Sequence, residues 1–266
     1  MILKQGNCLE LMGDISDKSI DMILCDLPYG TTACKWDTVI PFEPLWEHYD
    51  RIIKDDGAIV LFGSEPFSSS LRMSNIKEYK YDWIWKKNKV GNIFNCKHSP
   101  LKVYETISVF SKGDIANGAK NLMVYNPQGL IACDNKRSNK RKSLETTVGR
   151  RPSREGEYVQ KVTNYPRNIL EFSNETGLHP TQKPVDLLEY LISTYTCENE
   201  VVLDNCIGSG STGVACVNSN RSFIGFELDG NYFKIAENRI QEAICQKEGI
   251  LMIKPENSDT SLNESA

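Results

Sequence analysis

Histidine is scarce in this chain of 266 residues, and its few histidines lack the spacing of metal ligands. His48, His98 and His179 lie far apart in the sequence. Nine cysteines are present, but no two of them have Cys-x-x-Cys spacing. Structural zinc sites use closely spaced Cys or His pairs, so we predict no metal site. The odd number of cysteines and their apolar neighbours indicate reduced, mostly buried thiols, as in a cytoplasmic protein.

Long hydrophobic runs are also absent. No apolar stretch approaches the roughly 18 residues that a membrane-spanning helix needs, and the first residues show no signal-peptide pattern. Apolar residues make up 40% of the chain and charged residues 25%, which is typical of a folded protein and excludes a disordered one. We therefore expect a cytoplasmic protein with no membrane partner.

An excess of positive charge is missing from the chain as a whole but present in one segment. The net charge is −4, from 31 Lys and Arg against 35 Asp and Glu. Residues 112–167 nevertheless hold 12 basic and 5 acidic side chains, a net charge of +7, and the rest of the chain carries −11. A basic segment within an acidic chain is typical of a protein that binds a polyanion such as nucleic acid. This segment has few aliphatic runs and no clear period, so loops are predicted from 113 to 163.

Apolar runs on either side of the basic segment predict alternating strands and helices. Strands are expected at 20–25, 58–62, 81–85, 103–110, 200–204 and 222–227. Helices are expected at 45–54, after Pro184, from 212 and from 231. Near-continuous apolar strands indicate a mostly parallel sheet that is covered on both faces. The predicted fold class is α/β, with a Rossmann-like doubly wound sheet.

A glycine-rich turn, Asp204-Asn-Cys-Ile-Gly208-Ser-Gly210-Ser-Thr-Gly213, separates the strand at 200–204 from the helix that follows. Such a turn lets the backbone approach a ligand closely, and the helix N-terminus supplies free N–H groups. One strand later, Glu227 provides a carboxylate that can accept two hydrogen bonds from a ribose diol. The alternative is a tight strand–helix connection with no ligand. We favour a nucleoside-bearing cofactor.

The type of cofactor is indicated by what surrounds these glycines. Gly208, Gly210 and Gly213 fit the Gly-x-Gly-x-x-Gly spacing of nicotinamide enzymes. However, Asp204 at the strand end and the late position in the chain fit that class poorly. S-adenosylmethionine carries an ammonium and a sulfonium, and acidic neighbours suit such a ligand. A nicotinamide oxidoreductase is therefore the less favoured interpretation.

A second turn, Asp26-Leu27-Pro28-Tyr29, follows the strand at 20–25 directly. In doubly wound sheets, ligands bind at the carboxyl ends of the strands. The exocyclic amino group of adenine or cytosine is a poor nucleophile, because its lone pair is conjugated into the ring. The Asp26 carboxylate and the Leu27 carbonyl can accept its two N–H bonds, while Pro28 stiffens the turn and Tyr29 offers an aromatic face. The alternative is a structural turn whose tyrosine packs in the core.

Together these turns resemble the amino-methyltransferases of DNA, in the permuted (beta) class whose catalytic motif precedes its cofactor motif. Asp26-Leu-Pro-Tyr29 is similar to the family's Asp-Pro-Pro-Tyr, and residues 203–213 are similar to its Leu-Asp-Pro-Phe-x-Gly-Ser-Gly-Thr-Thr-Gly. His179-Pro-Thr-Gln-Lys-Pro184 matches a third family motif closely. The resemblance spans roughly residues 5–245, and three motifs in the right order are specific.

The resemblance implies the fold of S-adenosylmethionine-dependent methyltransferases, circularly permuted, and a methyl transfer that leaves S-adenosylhomocysteine. An Asp at the start of the catalytic motif is more typical of adenine N6 than of cytosine N4 methylation. Glu227 is implied at the ribose of the cofactor and Lys183 at its carboxylate. The residues expected at the cofactor are Asn7, Thr181, Lys183, Asp204, Cys206, Gly208, Ser209, Gly210, Thr212 and Glu227.

The sequence departs from the family pattern at two places. Leu27 stands where the family has its first proline, but any residue retains the backbone carbonyl that is used there. Asn205-Cys206 stands where the family has Pro-Phe, with the aromatic ring near the cofactor. Phe226 is a candidate substitute for that ring.

DNA is the implied partner, expected to be double-stranded, and the protein is expected to act as a monomer or homodimer. The target atom is inaccessible in a stacked duplex, so the base must flip out. Lys86-Lys87-Asn88-Lys89 is expected to line the cleft that holds the DNA. The residues expected to bind DNA are Lys136, Arg137, Lys140, Arg141, Lys142, Arg150, Arg151 and Arg154, the alternative being a solvated basic loop.

The resemblance divides the chain into a catalytic half at 1–111, a basic target-recognition insert at 112–167 and a cofactor-binding half at 168–254. A disordered tail is expected at 255–266. Three other functions stay open from the sequence: cytosine-N4 methylation, methylation of RNA, and nucleic-acid binding by a catalytically inactive relative.

Overall fold

Strands and helices alternate along both halves of the chain in the computed structural model, which describes residues 1–31, 37–141, 143–146, 149–151, 154–174 and 182–249. The predicted tail at 255–266 lies outside the described residues. The strands are β1 Ile2–Gln5, β2 Ile20–Cys25, β3 Ile53–Gly63, β4 Tyr79–Gly91, β5 Lys102–Phe110, β6 Ile131–Arg141, β7 Leu144–Thr146, β8 Gly149–Arg151, β9 Arg154–Thr163, β10 Ile169–Glu171, β11 Val201–Asp204 and β12 Ser222–Glu227. The helices are α1 Cys8–Leu11, α2 Phe42–Ile52, α3 Phe67–Ser74, α4 Val185–Tyr195, α5 Ser211–Asn218 and α6 Gly230–Glu248.

Eight strands form one sheet, in the order β1-β12-β11-β2-β3-β5-β4-β10. Neighbouring strands are parallel except where β5 runs antiparallel to both β3 and β4. The predicted mostly parallel α/β fold is confirmed. Because parallel strands end at the same edge, the residues that follow β2, β4, β11 and β12 lie along one carboxyl edge of the sheet.

The sheet is buried on both faces because its central strands carry apolar side chains at successive positions. Every residue of β2 is buried. One face packs against α1, α2 and α3, through residues such as Leu45, Tyr49 and Leu71. The other face packs against α4, α5 and α6, through residues such as Leu188 and Ile240. This packing fixes the positions of the strand ends, where the turns singled out in the sequence lie.

Helix α2 shows how strand pairing sets the end of a helix. The predicted helix at 45–54 begins three residues too late and extends two residues too far, since α2 spans Phe42–Ile52. The chain enters β3 at Ile53, which pairs with Ile20 of β2. A buried isoleucine in the sheet therefore ends the helix before the Asp-Asp-Gly sequence that follows it.

The prediction of loops from 113 to 163 is wrong for the strands of the basic segment. β6 and β9 form an antiparallel two-stranded ribbon, and β7 and β8 pair as a short hairpin between them. The ribbon was missed because its described side chains are mostly exposed on both faces. A strand that buries neither face shows no alternation of apolar and polar residues.

Candidate active site

The catalytic turn predicted at Asp26-Leu27-Pro28-Tyr29 follows β2 at the carboxyl edge of the sheet. The Tyr29 hydroxyl donates a hydrogen bond of 2.6 Å to Oδ1 of Asp26. One face of the Tyr29 ring stacks on Phe67 at a centroid distance of 5.0 Å. Burial and the Asp26 charge raise the pKa of Tyr29 well above its ordinary value, so the phenol stays neutral and donates. Leu27 is buried, which anchors the turn to the core.

Lys183 is the unexpected neighbour of Asp26. Its ammonium donates to Oδ2 of Asp26, lies 3.4 Å from Oε2 of Glu105 and sits 5.0 Å from the centroid of the Phe62 ring. The residue is only 7% exposed. Burial alone would lower the pKa of Lys183, but the two carboxylates raise it above its ordinary value. The structure thus pairs Lys183 with Asp26, and its predicted role at the cofactor carboxylate stays a prediction.

Glu105 is a part of this site that the sequence did not reveal. It lies on β5, and its Oε1 accepts a hydrogen bond from Lys87 of β4. Burial would raise the pKa of Glu105, but Lys183 and Lys87 outweigh that effect and hold the pKa below its ordinary value. Asp26, Lys183, Glu105 and Lys87 therefore form a line of alternating charges along the carboxyl edge. Glu105 sits in an ordinary strand sequence with no motif around it, so only the fold identifies it.

The glycine turn after β11 is held by Asp204, which is 3% exposed. Its Oδ1 accepts the Cys206 N–H at 3.1 Å, and its Oδ2 accepts the Thr212 hydroxyl at 2.6 Å. Burial raises the pKa of Asp204 to about 6. Nη1 of Arg239 donates to the hydroxyls of Ser209 and Ser211, at 3.3 and 2.9 Å. Asp204, Thr212 and Ser209 are thus placed to hold the shape of the turn.

Glu227 closes the other side of the glycine turn. Its Oε2 accepts the Gly208 N–H at 2.8 Å, and its Oε1 accepts the Asp229 N–H at 2.9 Å. The Gly6 N–H donates to the Glu227 carbonyl at 2.8 Å, which brings the end of β1 alongside. Asn7 follows, and its side chain caps α1 by accepting the Leu9 N–H at 3.0 Å. The two predicted cofactor residues at these strand ends are therefore neighbours.

The turn also fits the backbone approach that a nucleoside cofactor requires. Gly208 has φ +51° and Gly210 has φ +81°, a region that favours glycine. A Cβ added to Gly210 would lie 2.9 Å from the Cα of Ala236 in α6. A Cβ added to Gly208 would contact no atom of the described residues within 4 Å. Gly210 therefore faces the core, and Gly208 faces open space beside Glu227.

We expect alanine substitutions at Gly208 and Gly210 to have different effects on stability and on cofactor binding. Gly210→Ala will lower the free energy of unfolding by about 2–4 kcal/mol, because it adds backbone strain and a clash with α6. Gly208→Ala will cost only about 1 kcal/mol but will weaken S-adenosylmethionine binding by about tenfold or more, because the methyl group enters the open space beside Glu227 where we predict the cofactor. Chemical denaturation and calorimetric titration check both. Equal cofactor affinity in Gly208→Ala and the unchanged protein would contradict this placement.

Asn205 and Cys206 are accommodated by the core beneath the turn. The Tyr49 hydroxyl donates a 2.6 Å hydrogen bond to Oδ1 of Asn205. Cys206 packs against the cluster that holds Cys25 and Phe226. Burial raises the pKa of Cys25 to about 12, so this thiol is protonated. Phe226 is buried in the same cluster, which keeps its ring in the core under the turn.

Of the residues predicted to bind DNA, all but Lys142 lie on strands of the basic segment. Lys136 and Arg137 are exposed on β6. On the backbone, Lys140 and Arg141 also belong to β6, Arg150 and Arg151 to β8, and Arg154 to β9. Lys142 and Thr181 lie outside the described residues.

Metal sites and membrane-spanning helices were searched for in the described part of the chain only. No group of three or more His, Cys, Asp or Glu side chains there is arranged to hold a metal ion. No helix among those residues is long and apolar enough to span a bilayer.

Comparison with known proteins gives consistent matches over most of the chain. The profile of a family described as DNA methylase matches residues 20–238. Type II methyltransferase M2.MboI of Moraxella bovis is 26% identical, over 90% of this chain and 86% of its own. DNA adenine methyltransferase YhdJ of Escherichia coli is 27% identical, over 90% of this chain and 82% of its own. The crystal structure of the M1.HpyAVI–SAM complex superposes with a TM-score of 0.60 at 24% identity, covering 90% of this chain and 98% of the other. That structural likeness supports the fold.

Proposed function

Because the chain belongs to the DNA methylase family, we propose that it transfers a methyl group from S-adenosylmethionine to the exocyclic N6 of an adenine in DNA. The observation that carries the proposal is the position of its two turns. Asp26 follows β2 and the glycine turn follows β11, and these strands are parallel neighbours in the sheet. A base at Asp26 and a cofactor at the glycine turn therefore meet at one edge.

The residues at this edge suit methyl transfer to an amino group. S-adenosylmethionine supplies an electrophilic methyl group on a positively charged sulfur. We place the N6 hydrogens of adenine against the Asp26 carboxylate and the Leu27 carbonyl, which orients the nitrogen lone pair for attack. When the N6–CH3 bond forms and the sulfur–methyl bond breaks, N6 would carry the positive charge and S-adenosylhomocysteine would leave as a neutral thioether. The Asp26 carboxylate would stabilise this charge until N6 loses one of its two protons to solvent.

Three further residues of the site support Asp26. Tyr29 donates to one of its carboxylate oxygens and Lys183 to the other. Glu105 balances the charge of Lys183, so the site contains a fixed arrangement of charges before any substrate enters. Such preorganisation avoids rearranging the charges during the reaction. We assign cofactor binding to the glycine turn, Glu227 and Asn7, since these lie on the adjoining strand ends.

We assign target recognition to the insert at 112–167, between the halves at 1–111 and 168–254. A two-stranded ribbon fits the major groove of DNA. Asn135 pairs with Gln160 across the ribbon, and Arg137 pairs with Tyr158. Nε of Arg137 donates to Oε1 of Gln160 at 3.2 Å, which shows that these side chains share a face.

The described side chains of this face include Asn135, Arg137, Tyr158, Gln160 and Val162, and none of these is acidic. Amide groups recognise adenine and arginine recognises guanine in the major groove. The opposite face carries Glu157 together with Lys136. We therefore propose that the amide and arginine face meets the bases and that Lys136 contacts phosphate. Double-stranded DNA in the bacterial cytoplasm is the proposed substrate, as expected of an enzyme related to those of restriction–modification systems.

Charge removal on the ribbon tests this assignment. Lys136→Gln with Arg137→Gln will weaken binding of double-stranded DNA by about tenfold and reduce the slope of log K against log salt by about 1–2. Binding of S-adenosylmethionine will change little, because the ribbon lies outside the main sheet. Fluorescence anisotropy at several salt concentrations measures both quantities for DNA. Lys77→Gln, an exposed lysine that precedes β4, is the matched control. If cofactor affinity fell as much as DNA affinity, the ribbon would have a structural role and would not be the DNA-binding element.

The reaction itself is tested by mass spectrometry of nucleosides from DNA, and in a separate sample from RNA, incubated with the protein and S-adenosylmethionine. N6-methyladenosine in its deoxy form is the expected product. Detection of N4-methyldeoxycytidine would show that the target base is cytosine instead of adenine. Detection of methylated RNA nucleosides would show that the substrate is RNA instead of DNA. S-adenosylmethionine binding without any methylated product would favour an inactive DNA-binding relative.

A further inference from the structure

The connection between β4 and β5 lies at the same edge of the sheet as Asp26. β4 is antiparallel to β5, and β5 is antiparallel to β3, so β4 runs in the direction of β2 and β3. Gly91 therefore ends β4 at the carboxyl edge. Lys87 and Glu105, near the base of the connection, contact each other, and Glu105 lies beside Lys183 and hence Asp26.

The tip of this connection exposes an aromatic ring almost completely. Phe94 is 98% exposed, and its neighbour Ile93 is also exposed. Both lie on a single 3-10 turn, Ile93–Asn95. Val90, Leu101 and Val103 beside the tip are exposed as well, and such a cluster of exposed large apolar side chains marks a contact site for a partner.

Hydrogen bonds hold the tip in one shape. Asn92 adopts φ +62° at the start of the turn, and its Nδ2 donates to the Ser99 hydroxyl at 2.9 Å. Nδ2 of the Asn95 side chain donates to Oδ1 of Asn92 at 2.6 Å. The backbone N–H groups of His98 and Ser99 both donate to the Asn95 carbonyl, at 2.8 and 2.9 Å. The turn is thus built to present the Phe94 ring outward.

The charge around the tip identifies the partner. From Lys86 to Tyr104 the sequence has five lysines and one histidine but no acidic residue. Lys86 and Lys87 pair with Glu171 and Glu105 on other parts of the sheet, and Lys89, Lys97 and Lys102 are exposed. This stretch complements phosphate groups, whereas the chain as a whole is acidic. An apolar ring surrounded by lysines matches a stacked duplex, which is apolar between its base pairs and anionic at its backbone.

We propose that Phe94 enters the DNA duplex and fills the space that the target adenine leaves when it flips into the site at Asp26. The ring stacks on the bases that remain, and the exposed Lys89, Lys97 and Lys102 hold the flanking phosphates. This inference rests on the proposed function. Phe94 is a positioning residue in it, because it stabilises the flipped state without touching the transferred methyl group.

Phe94→Ala in the full chain tests the proposal. The substrate is a synthetic DNA duplex that contains the sequence context in which the wild-type protein methylates adenine. We expect the single-turnover rate on this duplex to fall at least about fivefold, because stacking of one aromatic side chain on a base is lost. The loss should shrink to about twofold when the adenine lies opposite an abasic site, because an unpaired base flips more easily. Phe94→Trp should retain the rate on both duplexes.

Cofactor affinity and a matched variant control for folding. Ile76→Ala removes an exposed apolar side chain before β4, at the opposite edge of the sheet, and should leave both rates unchanged. An equal rate for Phe94→Ala and wild type on the paired duplex would overturn the proposal. So would an equal loss on both duplexes, since that result indicates a merely structural role. A wild-type chain that methylates no DNA would instead overturn the proposed function, and this inference with it.

Discussion

Replacing Asp26 by Ala will lower the rate of methyl transfer at saturating cofactor by at least about 100-fold, the effect of losing a group that stabilises charge in the transition state. The carboxylate accepts from Tyr29 and Lys183 in the free protein and is the proposed acceptor for N6. Binding of S-adenosylmethionine will stay within about threefold of wild type, because the glycine turn is held by Asp204 and Glu227 instead. Rapid-quench kinetics and calorimetric titration measure the two quantities.

Asp26→Asn is the matched variant for this prediction. It keeps the shape of the side chain but places an amide where a carboxylate accepts two donors, so it should lose activity nearly as fully as Asp26→Ala. Full activity in either variant would show that Asp26 takes no part in the reaction. Loss of both cofactor binding and cooperative unfolding would show that Asp26 is needed for folding instead.

Replacing Lys183 by Met is expected to have the second largest effect. The variant keeps the length of the side chain but leaves the Asp26 and Glu105 carboxylates without their shared cation. We expect the rate at saturating cofactor to fall by about 100-fold or more, since Asp26 loses its fixed position and charge balance. The free energy of unfolding should fall by about 3 kcal/mol, because a buried ion pair is broken.

The two roles considered for Lys183 give different kinetics. If Lys183 mainly holds Asp26, the rate at saturation falls while the dissociation constant of S-adenosylmethionine changes little. If it mainly pairs with the cofactor carboxylate, the dissociation constant rises and the rate at saturation is retained, which would contradict our account. Adding Glu105→Gln to Lys183→Met removes the uncompensated carboxylate, so we expect stability to recover in part while activity does not.

The sheet and the turns at its edge were largely predictable from the sequence. Buried parallel strands such as β2 are continuous apolar runs, and turns such as Asp26–Tyr29 follow them directly. The family match over residues 20–238 confirms the predicted DNA methyltransferase that uses S-adenosylmethionine. The ribbon of β6 and β9 was not predictable in this way, since strands exposed on both faces lack periodicity.

The contacts within the candidate site were harder to predict than its residues. Asp26 and Lys183 are 157 positions apart, and their pairing depends on where α4 begins relative to β2. Glu105 and Phe94 lie in sequences without a recognised motif. Glu105 becomes significant because β5 brings it beside Lys183, and Phe94 because the structure leaves its ring exposed. Such properties belong to the folded chain and have no local sequence signal.

Adenine methylation by this chain can be read from modified-base sequencing of the genomic DNA of a methylation-free bacterial host that expresses it. We expect N6-methyladenine in one short sequence context after expression of the wild-type chain, and none after expression of Asp26→Ala at the same protein level. N4-methylcytosine, methylation in the Asp26→Ala cells, or no modified base in cells that contain the folded wild-type protein would contradict this expectation.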